Sequence, residues 1–261
     1  MADSLAGKII LVTRPVQQSE TLCRMIESRG GMAIRFPVIG IKPPPDPDSL
    51  CQTLGRVADY DIGIFISRNA VNCTMELLNK EIHALYNLKL IALGKATAQS
   101  LQQAGFTDIS HTDSIASSET LLELPVLQAG LVKGTRVIVF RGVGGREFLA
   151  EALTERGAVV DYAEVYQREP VQYENGTLDR IWLHERPDYV VITSNEGLQY
   201  LFDMLSSEQK AILLDTQLVV LGSRMADLAK KLGFNKSPVI AEETSDKGLL
   251  KAIIQAAKLP E

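Results

Sequence analysis

The protein is 261 residues long, which accommodates one large domain or two of ordinary size. Hydrophobic residues make up 46% and charged residues 23%, and the net charge of −5 at pH 7 gives no electrostatic footprint for nucleic acid. The N-terminal MADSLAGK lacks the apolar part of a secretion signal, and no stretch approaches the roughly 18 apolar residues of a membrane span.

The first half alternates short apolar runs with amphipathic stretches. KIILVT (8–13) is a continuous apolar run, typical of a strand that is covered on both faces. A helix follows from Gln17 and stops at the pair Gly30-Gly31. The further elements predicted for this half are strands 32–42, 62–67 and 88–93, a proline-rich turn at 43–47, and helices 69–79, 95–105 and 117–130.

The second half continues the same alternation. Its predicted strands are 136–140, 158–168, 189–193 and 218–221, and its predicted helices are 145–156, 175–185, 195–205, 223–232 and a last one near 246–258. The βαβα order predicts an α/β fold with parallel sheets and helices on both faces.

The two halves repeat one another at a nearly constant offset. A shift of 127 residues takes Gly7 onto Gly134, Arg14 onto Arg141 and Ser67 onto Ser194. One residue more takes 90–106 onto 218–234. This period is far longer than that of a solenoid repeat, so we interpret it as a duplicated α/β half and expect the site in a cleft between two similar bodies.

Polar loops follow the predicted strands and lead directly into helices. They are Thr13-Arg14-Pro15, Ser67-Arg68-Asn69, Gly94-Lys95-Ala96-Thr97, Arg141-Gly142-Val143-Gly144-Gly145, Thr193-Ser194-Asn195 and Gly222-Ser223-Arg224. Backbone N–H groups at helix N-termini bind anions, and six such loops favour a polyanionic ligand. Ordinary N-capping is the alternative for each loop. Arg14 and Arg141 suit carboxylate or phosphate binding, with a structural ion pair as the alternative.

Motifs of the common catalytic classes are absent from the sequence. RGVGGRE (141–147) is not GxGxxG, and GxxxxGK[ST], GxSxG, HExxH and CxxC do not occur. Three cysteines, Cys23, Cys51 and Cys73, favour buried free thiols in a reducing cytoplasm. Tyr166 is the best-placed weak acid, although it could also be an ordinary strand residue. An enzyme with this sequence would act by positioning a reactive substrate.

Taken together, these residues resemble the uroporphyrinogen-III synthase family. The matching motifs, in order, are LVTRP (11–15), FISRNAV (65–71), ALGKATA (92–98), EVYQREP (164–170), ITSNEGL (192–198) and VVLGSRMADLA (219–229). The resemblance implies two similar flavodoxin-like or Rossmann-like domains joined by a two-stranded ladder, with the active site in the cleft between them. It implies a discontinuous first domain (1–35 plus 171–261), a second domain (43–163) and linker strands (36–42 and 164–170).

The resemblance also implies a reaction. The substrate would be hydroxymethylbilane, a linear tetrapyrrole with eight carboxylates, which closes with loss of water and inversion of its last ring. We expect no cofactor and no metal, a cytoplasmic monomer, no membrane or nucleic-acid partner, and a possible transient contact with hydroxymethylbilane synthase.

The resemblance places candidate site residues on this sequence. Tyr166 falls on the family's tyrosine motif and is the candidate proton donor. The residues expected to bind substrate are Arg14, Ser67, Asn69, Ala70, Thr97, Arg141, Gly142, Ser194, Asn195, Gly197 and Ser223. Arg224 and Met225 stand where members often have threonine, which leaves Ser223 as the nearest hydroxyl.

Two other functional classes fit a chain of paired α/β bodies. One is a two-domain nucleotide-sugar transferase, against which the short chain and the lack of a ribose-binding acid after a glycine-rich turn both argue. The other is a non-catalytic two-lobed module that binds small anions.

Overall fold

The chain divides into two compact units in a computed structural model that describes residues 4–112 and 117–258. The first unit takes the chain up to Gly40 and again from Glu169 onward, and the second unit is Ile41–Arg168. Residues 1–3 and 259–261 of the predicted first domain lie outside the described residues.

The described elements alternate strand and helix over most of the chain. The strands are β1 (Ile9–Val12), β2 (Met32–Arg35), β3 (Ile39–Lys42), β4 (Ile62–Phe65), β5 (Lys89–Ala92), β6 (Ile109–His111), β7 (Arg136–Gly142), β8 (Val159–Pro170), β9 (Tyr189–Ile192), β10 (Gln217–Val220) and β11 (Val239–Ile240). The α-helices are α1 (Val16–Glu27), α2 (Pro47–Gly55), α3 (Arg68–Leu78), α4 (Lys95–Gln103), α5 (Ser118–Leu121), α6 (Ala129–Val132), α7 (Phe148–Glu155), α8 (Asn175–Asp179), α9 (Asn195–Met204), α10 (Ser207–Asp215), α11 (Ser223–Leu232) and α12 (Asp246–Ala256). Shorter 3₁₀ turns cover Val57–Asp59, Asn79–Leu85 and Pro125–Leu127, and Arg180–Glu185 is a π-helix.

The first unit contains a five-stranded parallel sheet in the order β11-β10-β9-β1-β2. Its central strand β9 is buried along its whole length, as expected of a strand with helices on both faces. The apolar faces of the helices pack on both sides of this sheet and form two separate buried clusters. A doubly wound sheet of this kind collects polar loops at the carboxyl ends of its strands.

The second unit contains a six-stranded sheet in the order β3-β8-β7-β4-β5-β6. Its last five strands pair in parallel. They repeat the order β2-β1-β9-β10-β11 of the first sheet as β8-β7-β4-β5-β6. Since the sequence repeat takes β1 onto β7 and β4 onto β9, each sheet combines strands from both halves of the repeat.

Two predicted elements are each divided in the structure. The predicted strand 32–42 is two strands, because Pro37, which lies between β2 and β3, has no N–H for a ladder. The predicted helix 117–130 is broken into α5, a 3₁₀ turn and α6, because Pro125 removes a helical donor. The helix predicted at 145–156 starts only at Phe148, since Gly144 and Gly145 have positive φ angles.

Some elements were missed by the sequence analysis. They are α2, α10, β6 and the two-residue strand β11. Helix α2 follows the proline-rich turn with Asp46 as its N-cap, whose carboxylate accepts from the Ser49 N–H at 3.0 Å, and Pro47 at the first helical position. The turn therefore starts a helix in addition to ending a strand.

The cysteines only partly follow expectation. All three are free, and Cys23 is buried, but Cys51 is exposed because Leu50 and Leu54 occupy the inward face of α2. Among the described residues, no helix has the length and apolar character needed to cross a membrane.

Candidate active site

Three polar positions of the second unit meet at the carboxyl ends of neighbouring strands. Ser67 follows β4, Gly142 ends β7, and Tyr166 lies opposite Gly142 on β8. Since β4 pairs with β7 and β7 with β8, the three residues share one edge of the sheet. This is the edge at which open α/β sheets bind ligands.

A register shift in the sheet places the Tyr166 ring. The pairing of β7 with β8 jumps from Arg141↔Glu164 to Gly142↔Tyr166, so β8 carries one extra residue, Val165, at this point. Because of this bulge, the adjacent side chains of Val165 and Tyr166 both enter the same buried cluster. The ring lies directly over Gly142, where a Cβ would come within 2.7 Å of ring carbons.

The Tyr166 hydroxyl has two hydrogen-bond partners. Its oxygen lies 3.1 Å from the Ser67 hydroxyl, and it accepts a hydrogen bond from the Arg168 guanidinium at 3.4 Å. Tyr166 is only 1% exposed. The phenol is therefore held in one orientation by its packing and by both partners.

Ser67 is the N-cap of α3. Its side-chain oxygen accepts a hydrogen bond from the Ala70 N–H at 3.0 Å. Ser194, its counterpart in the repeat, caps α9 in the first unit through the Gly197 N–H, also at 3.0 Å. The capping role that the sequence left open as an alternative is thus present at both serines.

Arg141 is a buried arginine of the second unit that pairs with two more exposed carboxylates. Its guanidinium contacts Glu164 and Glu147 at 3.0 Å each and stacks on the Tyr162 ring at 3.5 Å. Burial raises the pKa of Tyr162 to about 12. A cavity of about 340 Å³ opens beside these residues, lined on its other side by the start of α2.

The first unit shows a similar arrangement at Arg14, which pairs with Asp246 at the start of α12. The structural ion pair weighed for both arginines is therefore present at both. Any anion that binds at Arg14 or Arg141 must compete with a carboxylate of the protein itself.

Comparisons with known proteins bear on this arrangement. The family model described as "Uroporphyrinogen-III synthase HemD" matches residues 20–251. The uroporphyrinogen-III synthase of Escherichia coli (strain K12) is 32% identical over 246 residues, which is 94% of this chain and 99% of that protein.

The chain belongs to the uroporphyrinogen-III synthase family.

Other members of the uroporphyrinogen-III synthase family also align over nearly the whole chain. The Synechococcus elongatus enzyme is 28% identical and covers 97% of both chains. The crystal structure of uroporphyrinogen-III synthetase from Helicobacter pylori has a TM-score of 0.64 at 16% identity, covering 95% of this chain and 99% of that one. A mutant Thermus thermophilus uroporphyrinogen III synthase has a TM-score of 0.61 at 19% identity, covering 97% and 99%. These structures confirm the predicted fold class of two largely parallel α/β sheets.

Within this family fold, the remaining candidate residues occupy ordinary positions at the starts of helices. Thr97 is buried and donates its hydroxyl to the Leu93 carbonyl at 3.0 Å. Asn69 and Asn195 lie in the first turns of α3 and α9, and Ser223 is the first residue of α11. Arg224, which follows Ser223, is exposed.

The sequence analysis missed the partners of its own candidates. Arg168 has a visible signal, because residues two apart on a strand point to one face and Arg168 follows Tyr166 at that spacing. The carboxylates of Glu164, Glu147 and Asp246 had no distinguishing motif, since each meets its arginine only through the fold.

Proposed function

We propose that this protein is a lyase that converts hydroxymethylbilane into uroporphyrinogen III. The reaction closes the linear tetrapyrrole, inverts its ring D and releases one water. Family membership over residues 20–251 supports the assignment. For the chemistry, the supporting observation is the Tyr166 hydroxyl, held by Ser67 and Arg168 at the carboxyl edge of the second sheet.

The first step of this reaction needs an acid. Loss of the substrate hydroxyl leaves an azafulvene cation, and hydroxide is a poor leaving group unless it is protonated. The last ring then attacks through its already substituted carbon, which gives a spiro intermediate that fragments and recloses. We assign the proton for the first step to Tyr166, and the later steps need a folded substrate from which water is excluded.

Eight substrate carboxylates need anion sites on a protein of net charge −5. We assign these to the starts of helices, where backbone N–H groups and the helix dipole attract anions. The residues are Asn69, Ala70 and Thr97 in the second unit and Ser194, Asn195, Gly197 and Ser223 in the first, with Ser67 and Gly142 beside Tyr166. Arg14 and Arg141 bind substrate in this scheme only by exchanging a protein carboxylate for a substrate carboxylate.

We further propose that the protein works as a cytoplasmic monomer without cofactor or metal. A reducing compartment suits its three free cysteines. Azafulvene chemistry needs no redox partner. The protein partner that we propose is the preceding enzyme, hydroxymethylbilane synthase, in a transient contact that delivers substrate.

A coupled assay tests the proposed activity. The purified protein is mixed with hydroxymethylbilane synthase and its substrate, and the products are separated by chromatography. We expect the type III isomer in place of the type I isomer that forms spontaneously. If folded protein gives only the type I isomer, that result would contradict the proposed activity.

A further inference from the structure

Arg168, Tyr166 and Ser67 form one continuous line of hydrogen-bonding groups. The Arg168 guanidinium donates to the Tyr166 oxygen at 3.4 Å, and that oxygen lies 3.1 Å from the Ser67 hydroxyl. The Ser67 oxygen in turn accepts the Ala70 N–H at 3.0 Å. Tyr166, in the middle of the line, is 1% exposed, whereas Ser67 is partly exposed and Arg168 is exposed.

The donors and acceptors fix the direction of this line. A guanidinium can only donate, so Arg168 cannot take the Tyr166 proton. A buried hydroxyl proton without an acceptor is costly, and Ser67 is the remaining partner of Tyr166 among its described hydrogen bonds. Tyr166 therefore donates to Ser67.

Ser67 then accepts twice, from Tyr166 and from the Ala70 N–H. A hydroxyl has two acceptor lone pairs and one proton, so both lone pairs are occupied and the proton is left to point at a third group. Of the two hydroxyls in the line, Ser67 is the more accessible, because it is partly exposed whereas Tyr166 is buried.

We propose a proton relay, in which Ser67 delivers the proton to the substrate and is then reprotonated by Tyr166. This inference rests on the function proposed above. It makes Ser67 the catalytic residue of the proton transfer. Tyr166 and Arg168 become positioning residues that act through Ser67. Tyr166 resupplies the Ser67 proton, and Arg168 stabilises the phenolate that results.

The proton transfers balance among Ser67, Tyr166 and the substrate. The Ser67 O–H protonates the departing hydroxyl, the carbon–oxygen bond breaks, and water leaves. Ser67 takes the Tyr166 proton, which leaves a phenolate beside the Arg168 guanidinium. When the free carbon of ring D closes the macrocycle, it loses its hydrogen as a proton. That proton returns through Ser67 to Tyr166, and no outside acid or base is consumed.

A double-mutant cycle tests the relay. Ser67→Ala, Tyr166→Phe and the double variant are assayed for type III formation, with kcat and KM separated. Groups that act in series are strongly non-additive. We expect each single variant to lose roughly 100- to 10,000-fold in kcat, the range of general acid catalysis, with the double variant no slower than the slower single one. KM should change far less than kcat, because the backbone N–H groups assigned to carboxylate binding at the start of α3 remain in these variants.

Two further Ser67 variants separate proton delivery from helix capping. Ser67→Asn keeps a side-chain oxygen for the Ala70 N–H but has no hydroxyl, so we expect a stable, slow protein. Ser67→Thr keeps both functions and should retain most of the rate. Ser206→Ala removes a cap from α10 in the first unit and should lower stability by about the same amount as Ser67→Ala without lowering kcat.

Specific outcomes overturn the relay. If the double variant loses the product of the two single losses, Ser67 and Tyr166 act independently. If Ser67→Asn is fast while Tyr166→Phe is slow, Tyr166 reaches the substrate directly. A wild-type protein that forms only the type I isomer would instead contradict the proposed function. Failure of the relay and failure of the proposed function therefore give different results.

Discussion

Gly142 fixes the place of Tyr166 by having no side chain. A Cβ there would lie 2.7 Å from two carbons of the Tyr166 ring and 3.1 Å from its hydroxyl oxygen, so Gly142→Ala must push the ring aside. Overpacking of this kind costs about 1–3 kcal/mol of unfolding free energy. We expect the rate of type III formation to fall towards that of Tyr166→Phe, measured in the coupled assay alongside urea unfolding.

A control separates this clash from backbone strain. Gly105 follows α4 with a φ of 99° and has open space around it, so Gly105→Ala costs stability through its backbone alone. It should retain the wild-type rate at temperatures where it is folded. A Gly142→Ala protein with the wild-type rate would show that the position of the ring is unimportant.

Tyr173 predicts how stability changes at high pH. Burial raises its pKa to about 12, and its hydroxyl donates to the Pro37 carbonyl at 2.9 Å. An unfolded tyrosine has a pKa of about 10. The folded state therefore holds this proton more tightly, and the stabilisation is full below pH 10 and is lost as pH rises towards 12.

Urea unfolding at pH values between 8 and 11.5 checks this direction. Tyr173→Phe has no proton to lose at this position, so its unfolding free energy should fall less steeply above pH 10 than that of the wild type. Tyr86→Phe, which removes a phenol that is 62% exposed, is the control. Equal slopes for Tyr173→Phe and the wild type would contradict the assigned burial effect.

At the scale of the helix, α9 allows a test of carboxylate binding by backbone groups. Ser194, which caps α9, has φ −153° and ψ 152°, the extended conformation that a following proline requires. Proline is also favoured at the first helical position, where Asn195 lies. Asn195→Pro should therefore fold and remove one backbone donor, whereas Asn195→Ala removes only the side chain.

If this helix start holds a substrate carboxylate through its backbone, Asn195→Pro should raise KM several-fold more than Asn195→Ala. Thermal unfolding of both proteins is the control for folding. Equal and small effects of the two variants would show that the loop is a simple helix cap.

Among the strands and helices, some features could be predicted from the sequence and others could not. Apolar runs and repeat spacing predicted the strand before and the helix after each of Ser67 and Ser194, because buried strands and helix starts have strong local signals. The burial of Tyr166 could not be predicted. Strict alternation would place Val165 and Tyr166 on opposite faces, and only the bulge opposite Gly142 turns both into one cluster. The ion pairs of Arg14 and Arg141 likewise depend on chain segments that are distant in sequence.

For the whole molecule, the sequence repeat and the two compact units suggest different places to divide the chain. A cut between Lys133 and Gly134 follows the repeat. It separates β4 from β7, which pair through Ile62 and Val137, and it separates β1 from β9, which pair through Ile10 and Tyr189. Both fragments would then expose the unpaired edges of buried strands, which are prone to aggregate.

A division by units keeps the five-stranded sheet whole and divides only the edge strand β3 and the end of β8 in the other sheet. Residues 41–168 contain β4, β5, β6 and β7 with nearly all of β8, so we expect this fragment to be soluble and to unfold cooperatively. The other unit needs a join, and its chain ends are close, because the Val171 N–H donates to the Val38 carbonyl at 3.2 Å. Residues 1–40 linked to 169–261 by a few glycines should therefore also fold. Circular dichroism and urea unfolding of these two fragments, compared with 1–133 and 134–261, measure the difference. Two well-folded proteins from the cut at 133, or an unfolded 41–168 fragment, would contradict a fold in which each unit draws on both halves of the repeat.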